Sequence, residues 1–323
     1  MEALTRYFGD SRKWKDGMIY IAIVAIVLIF SLLVPNFFSP ENWRAILTSM
    51  VLVTVLAIGI TFVLTAGEID ISLGAVLSVT PTIFAVLLGK GMPFFLALVI
   101  GLAATLLLGF LNGFVTIKLG VPSFITTLGT MGIGMGLSRI VANNTPVVVR
   151  DDTVQLLFGG ELLGMPKIVV WMFVLIVLSY ILLHKTRYGR NLHNVGDNRE
   201  AAHLYGIHVT GTVIIAFVIA SFFAFFAGML EVARSFYASP GIGEPLMLNA
   251  IVASVIGGTA LTGGKGSIIG AFVGALFLTI ISNALFSLGL PPWISNIIIG
   301  SVIILILTTS GLMDKRKHEL GRI

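Results

Sequence analysis

The sequence predicts an all-α integral membrane protein of about ten transmembrane helices, with one short helix on the cytoplasmic side. Three observations carry that expectation. Of 323 residues, 57% are hydrophobic and only 11% charged, and the mean hydropathy is +1.03; a soluble core of ordinary size cannot hide so much apolar surface. The apolar residues come in continuous runs of about 20, the length of a helical span, and not in the alternating short segments of a membrane barrel. The cationic residues also cluster. Twelve of the 20 Lys and Arg lie in the amino-terminal stretch, the segment after His184 and the carboxyl-terminal stretch. Ten spans place all three on one side, which the positive-inside bias makes cytoplasmic. The net charge of +5 then marks membrane topology and not a nucleic-acid partner. There is no cysteine, which excludes disulfides, thiol catalysis and thiolate metal sites.

In chain order, a basic opening with Arg6, Arg12, Lys13 and Lys15 precedes a first span at Gly17 to Val34. The turn-rich VPNFFSPENW follows it in place of a small-residue cleavage site, so the segment reads as a retained helix with its start inside the cell. A second span runs from Trp43, an interfacial aromatic, to Ala66, and a third from Ile71 to Leu88. Between them lie Glu68, Asp70 and Ser72. A carboxylate facing mid-bilayer lipid costs about 2.5 to 3.5 kcal/mol on insertion scales, so both acids must face water, protein or a cavity. Two readings stand: a hinge or pathway element made irregular at Gly67 and Gly74, or a short cytoplasmic turn.

A fourth span, Pro93 to Ile117, carries Gly109 and Gly113 in a small-xxx-small spacing around Asn112. The fifth, beginning VPSFITT, holds Gly129, Gly132, Gly134 and Gly136, read as surfaces for close helix approach; no strand precedes them, so they are no dinucleotide fingerprint. Asn143 to Pro166 is the longest outer loop, and its Asn143-Asn144-Thr145 triplet is weak evidence of glycosylation. A sixth span covers Lys167 to Leu183 and a seventh Gly211 to Arg234, where Glu231 and Arg234 stand at pairing distance along a helix. Pro240 to Pro245 form an outer turn or a re-entrant segment, and an eighth span continues to Leu261 with Asn249 on it. LTGGKGS has the wrong spacing for a phosphate loop. The ninth span, Ser267 to Leu288, holds the packing pair Gly270 and Gly274 and a buried Asn283, and the last, Pro292 to Ser310, leads to a basic end. IGITFVLTAGEIDISLGA from Ile58 and IGGTALTGGKGSIIGA from Ile256 echo one another, by repetition or by coincidence.

The charged segment HKTRYGRNLHNVGDNREAAHLYGIH, His184 to His208, is an island between apolar runs. Asp197 is placed to cap a short helix, with Glu200 three residues on as its capping-box partner. Ala201, Ala202, Leu204 and Tyr205 fill its turns and Gly206 supplies a left-handed stop. So short a helix is unstable alone and calls for a docking partner. The five histidines, His184, His193, His203, His208 and His318, lack ligand spacing, and neither a paired-His zinc motif nor a serine elbow occurs.

TRYGRNLHNVGDNREAAHLYGI, AGEIDISLGA and EPLMLNAIVASVIGGTALTGGKGSIIGAFVGA, three segments in order across nearly the whole chain, together resemble the permease subunits of bacterial ATP-binding-cassette (ABC) sugar importers. That group takes ribose, xylose, arabinose and galactose, and its relatives autoinducer-2, nucleosides or branched-chain amino acids. The resemblance implies a single permease domain, 1–323, without catalysis or cofactor of its own, in the bacterial cytoplasmic membrane with both termini inside. It also implies a cytoplasmic ATPase holding ATP and magnesium, a substrate-binding protein, and a second permease, identical or sister. The loop 185–210 matches the ATPase-coupling element through Arg187, Gly189, Arg190, Gly196, Asn198, Glu200, Ala201, Ala202 and Gly206. Glu68, Asp70, Ser72, Asn112, Asn249 and Asn283 are candidate pathway or hinge residues. One departure is Glu68, an additional carboxylate where the group has Gly before Ile-Asp.

Overall fold

The computed structural model describes residues 11–291, 293, 294, 297–301 and 304, and the chain is helical through most of them. Helices α1 (Ser11–Leu33), α2 (Pro40–Thr65), α3 (Leu73–Gly89), α4 (Phe94–Lys118) and α5 (Ser123–Val141) are joined by short turns. A loop with strand β1 (Val147–Val148), the small helix α6 (Asp152–Leu157) and the hairpin β2 (Glu161–Leu162) and β3 (Met165–Pro166) leads to α7 (Lys167–Lys185). Then come α8 (Arg187–Asp197), α9 (Arg199–Leu204), α10 (Val209–Ser235), strand β4 (Tyr237–Ala238), α11 (Glu244–Ile256) and α12 (Ile268–Ser287). Strand β4 pairs antiparallel with β1, which ties the outer loop to the chain leaving α10.

Six helices, α2, α4, α5, α7, α10 and α12, are long and apolar enough to cross a membrane. Residues 23–33 of α1, with α3 and α11, are shorter apolar helices. Of the expected last span only 293, 294, 297–301 and 304 are described, and they are helical; Arg6, His318 and the basic carboxyl-terminal stretch lie outside the described residues. The expected eighth span is corrected. Helix α11 stops at Ile256, and 13 residues reach only about 20 Å, two-thirds of an apolar layer. A turn precedes the helix and ends at Gly243, whose N–H donates to Ser78 Oγ at 3.0 Å and whose backbone lies directly on that of Gly74. Residues 240–243 form this turn, and Pro245 lies in the first turn of α11.

The most buried helix is α2, closed in along its whole second half, Met50 to Thr65. Helices α10, α11 and α12 surround it, and Phe62 stacks on Phe223 with ring centroids 6.2 Å apart. Small residues set the closest approaches, as expected where helices associate by van der Waals fit. A Cβ on Gly109 would sit 2.8 Å from the Phe217 carbonyl oxygen, and one on Gly113 2.8 Å from Ile214 Cα, so α4 and α10 meet backbone to backbone. Gly270 and Gly274 likewise lie on α11, against Gly257 and Ala253. In α5 only Gly134 serves this purpose, 3.0 Å from Ala75 Cβ when extended by a Cβ. Gly129, Gly132 and Gly136 have nothing within 4 Å, which corrects their reading as packing positions within the chain.

This contrast yields a first prediction. Gly113→Val should lower the thermal midpoint of the detergent-solubilised protein, with an overpacking cost of about 1–3 kcal/mol, whereas Gly132→Val should leave it unchanged. Equal midpoints for the two variants would contradict the described α4–α10 packing.

Candidate functional site

The junction between α2 and α3, residues 66–72, is where polar chemistry collects. Gly67 turns the chain with φ of 76°, and the next residues leave helical geometry. The turn is largely buried in the protein, so its main-chain N–H groups need partners. Helix α5 supplies them: Ile69 N–H donates to Ser123 Oγ at 3.1 Å and Ile71 N–H to Thr127 Oγ1 at 3.3 Å. Ser123, Thr127 and Thr130 are spaced by four and three residues, one face of a helix.

Asp70 and Ser72, both completely buried, lie on the interior side of this junction. Ser72 donates twice to Asp70 Oδ1, from its N–H at 2.8 Å and its hydroxyl at 2.6 Å, an Asx-type turn that starts α3. Asn112 Nδ2 donates to Ser72 Oγ at 2.9 Å, and Thr130 Oγ1 donates to Asn112 Oδ1 at 2.6 Å. Four side chains on two helices and one turn thus form a ladder in which each group donates toward the Asp70 carboxylate. Networks of this kind are strengthened by low polarity and costly to leave incomplete. Asp70 Oδ2 and Thr126 Oγ1 have no hydrogen-bond partner among the described residues.

Glu68 is also buried, but it faces the other way. Its carboxylate pairs with Arg199, the first residue of α9. Gly196, at the end of α8, lies on the same junction: a Cβ there would run into the Thr65 carbonyl oxygen and stand 2.5 Å from Gly264 N. Gly264 N–H in turn donates to Thr65 O at 3.0 Å, which brings in the turn between α11 and α12. The two echoing sequence segments therefore meet here, each a helix followed by a glycine turn and another helix.

Helix α8 is an element that the sequence reading left as loop. Thr186 Oγ1 accepts from Gly189 N–H at 3.2 Å to start it, while Leu192 and Val195 turn inward against the bundle. Tyr188 donates to Thr212 O at 3.2 Å, and burial pushes its phenol above the ordinary range, so it stays a donor. Gly189 abuts the Leu183 carbonyl, where any Cβ would collide. The capping assignment is shifted by one residue: Asp197 ends α8, and Asn198 is the cap of α9, its Oδ1 accepting from Ala201 N–H at 2.9 Å. At the far end Gly206 has φ of 77°, with Gly206 N–H donating to His203 O and Ile207 N–H to Ala202 O, a complete Schellman stop. Ala202 is buried and Ala201 partly so, but Leu204 and Tyr205 are each 87% exposed, so they tip the knob and do not fill it. Arg187, Arg190 and Glu200 are exposed and have no side-chain ion pair among the described residues.

Of the other candidates, Asn249 is half-buried on α11, and Asn283 on α12 keeps an unpartnered, buried Oδ1; neither joins the ladder. Glu231 and Arg234 pair as expected, at 2.8 Å. Among the described residues no cluster of three His, Asp or Glu is placed to hold a metal ion. The Ser72 hydroxyl beside the Asp70 carboxylate is engaged in the buried ladder, and the arrangement is one of polar groups able to bind and orient one another.

Comparison with known proteins agrees with a bundle of this kind. Residues 42–307 match the family described as branched-chain amino acid transport system, permease component. The chain belongs to this permease family. The ribose import permease protein RbsC of Bacillus subtilis (strain 168) is 32% identical over 300 residues, 92% of each chain. RbsC of Escherichia coli (strain K12) is 34% identical over 318 residues, 97% of each. The autoinducer 2 import system permease protein LsrC of Photorhabdus luminescens is 31% identical over 293 residues, 90% of this chain and 88% of that one. The permease is thus a multi-pass membrane protein of a family whose members are generally non-catalytic transmembrane components of ABC importers.

The geometry of Gly196 makes a second prediction for this permease. Gly196→Ala forces α8 off the Thr65 carbonyl, and should lower the midpoint by about 1–3 kcal/mol and speed tryptic cleavage at Arg190 and Arg199. Unaltered cleavage of the purified variant would mean that α8 is not held at this contact.

Proposed function

We propose that this chain is the permease subunit of an ABC importer that moves a small sugar of the ribose type by alternating access. The observation that carries the reading is the knob α9. It is capped at both ends, tipped by the exposed Leu204 and Tyr205, and joined through α8 to the junction that carries Asp70. Two large side chains so exposed on a stop-capped turn offer anchor groups to a partner surface. A cytoplasmic ATPase fits it, with ATP and magnesium held there and not by this chain. Arg187, Arg190 and Glu200 flank the knob as rim charges that steer and orient such a partner. The clustering of Lys and Arg supports a cytoplasmic knob and cytoplasmic termini. A substrate-binding protein on the opposite side and a second permease, identical or sister, complete the assembly.

The ribose-type cargo is supported by the relatives' names and by the ladder, whose hydroxyl and amide groups suit a neutral polyol; among the described residues no Lys or Arg is paired with it. Asp70, Ser72 and Asn112 are the pathway residues in this reading, with Asn249 and Asn283 as further lining positions. Autoinducer-2 is the second reading, carried by the likeness to LsrC.

The test is reconstitution with candidate ATPase and binding proteins, then uptake of a panel containing ribose, xylose, arabinose, galactose, autoinducer-2 and a nucleoside. Leu204→Ser with Tyr205→Ser should cut ATPase co-purification by about tenfold or more, as loss of an interface anchor does, and Gly206→Val and Arg190→Glu should also weaken it. Asp70→Asn should leave co-purification intact and reduce uptake. Full association of all three knob variants would refute the docking role, and uptake that proceeds without any ATPase would replace the importer with a secondary transporter.

A further inference from the structure

Glu68 has a position that pathway polarity does not explain. Its residue is 8% exposed, it lies two residues before Asp70, and its carboxylate turns away from the ladder to meet Arg199 Nη2 at 2.5 Å. The same Nη2 donates to the Ala66 carbonyl oxygen at 3.3 Å. The last carbonyls of a helix lack partners within it and favour a cation nearby. At the end of α2 two successive carbonyls are claimed from outside: Thr65 O by Gly264 N–H, and Ala66 O by Arg199. Asn198, next to Arg199, caps α9. The α8–α9 segment therefore meets the junction through the main-chain contact of Gly196 and through Arg199, and of these the ion pair of Arg199 with Glu68 is the charged one.

A buried carboxylate that loses its cation is left poorly solvated, which resists separation of the pair. Arg199 itself is partly exposed, so the pair can follow a moving knob while Glu68 stays seated. We propose that Glu68 is a positioning residue of the import cycle: it holds Arg199, and with it α9, on the α2–α3 junction, so that displacement of the knob is delivered to the segment carrying Asp70. This rests on the importer reading above. Glu68 acts through Arg199 and touches neither ATP nor solute.

The experiment uses the full chain in proteoliposomes with its ATPase and binding protein, with ribose as the solute and uptake measured per ATP hydrolysed. Glu68→Gln keeps the shape and removes the charge; Arg199→Gln does the same from the exposed side, so it reports even if the buried change impairs folding. Each should lower the transport-to-hydrolysis ratio by about tenfold, within the usual range of a coupling interaction, while ATPase co-purification persists. The double variant should be no worse than either single one, because both remove one interaction. An unchanged ratio, losses that multiply, or loss of folded protein and of ATPase association at a constant ratio would each overturn the latch. If the wild-type chain shows no ATP-dependent uptake of any solute in the panel, the importer reading itself fails, and the latch with it.

Discussion

A buried segment that leaves helical geometry must find partners for the N–H and carbonyl groups that it frees, because an unpaired buried polar group is costly. The α2–α3 junction meets that requirement with three separate sources: the hydroxyl stripe of α5, the turn before α12 and the side chain of Arg199. Much of the architecture follows from this. Helix α5 has to stand beside α3 with its polar face inward, the two glycine turns have to touch, and α8 has to run close enough to bring Arg199 to Ala66. Among the described residues, the junction is where the knob, the broken helices and the buried ladder come into contact.

Much of this was legible in the residues. The limits of α2, α4, α7, α10 and α12 fall within a few residues of the expected ones because long apolar runs leave helices as the only membrane-stable form. Helix α11 was read too long for an instructive reason. Hydropathy continues through Ala260 and Leu261, but the chain has to turn at Gly257 and Gly258, where α12 lies on it, and no single-segment property records that contact. Helix α8 was missed because its composition is polar. The available signal was the spacing of Tyr188, Leu192 and Val195, by four and then three residues, one inward stripe on an otherwise exposed helix. Asp197 and Asn198 are both good caps, and only the observed bond to Ala201 N–H decides between them.

The candidate site was legible as a set of residues and not as a geometry. Glu68 and Asp70 stand two apart and both are buried, which the sequence can indicate through the cost of charge in lipid. That they point to opposite sides depends on the non-helical path after Gly67, and the sequence treats them as one feature. Asn112 was marked by its polarity among apolar neighbours, while Thr130, its partner in the ladder, was hidden in a span whose glycines drew more notice. Leu204 and Tyr205 look like core residues by type; their exposure follows from the complete stop at Gly206, which ends the helix before either can turn inward.

Several of the joints in this molecule are bare main chain on main chain: Gly74 on Gly243, Gly257 on Gly270, Gly196 on Thr65. Such joints place no demand on the shape of a side chain and so make none on what surrounds them. On the proposed importer reading, the lining of a route, and with it the cargo, can then be rewritten while these joints keep the same fit.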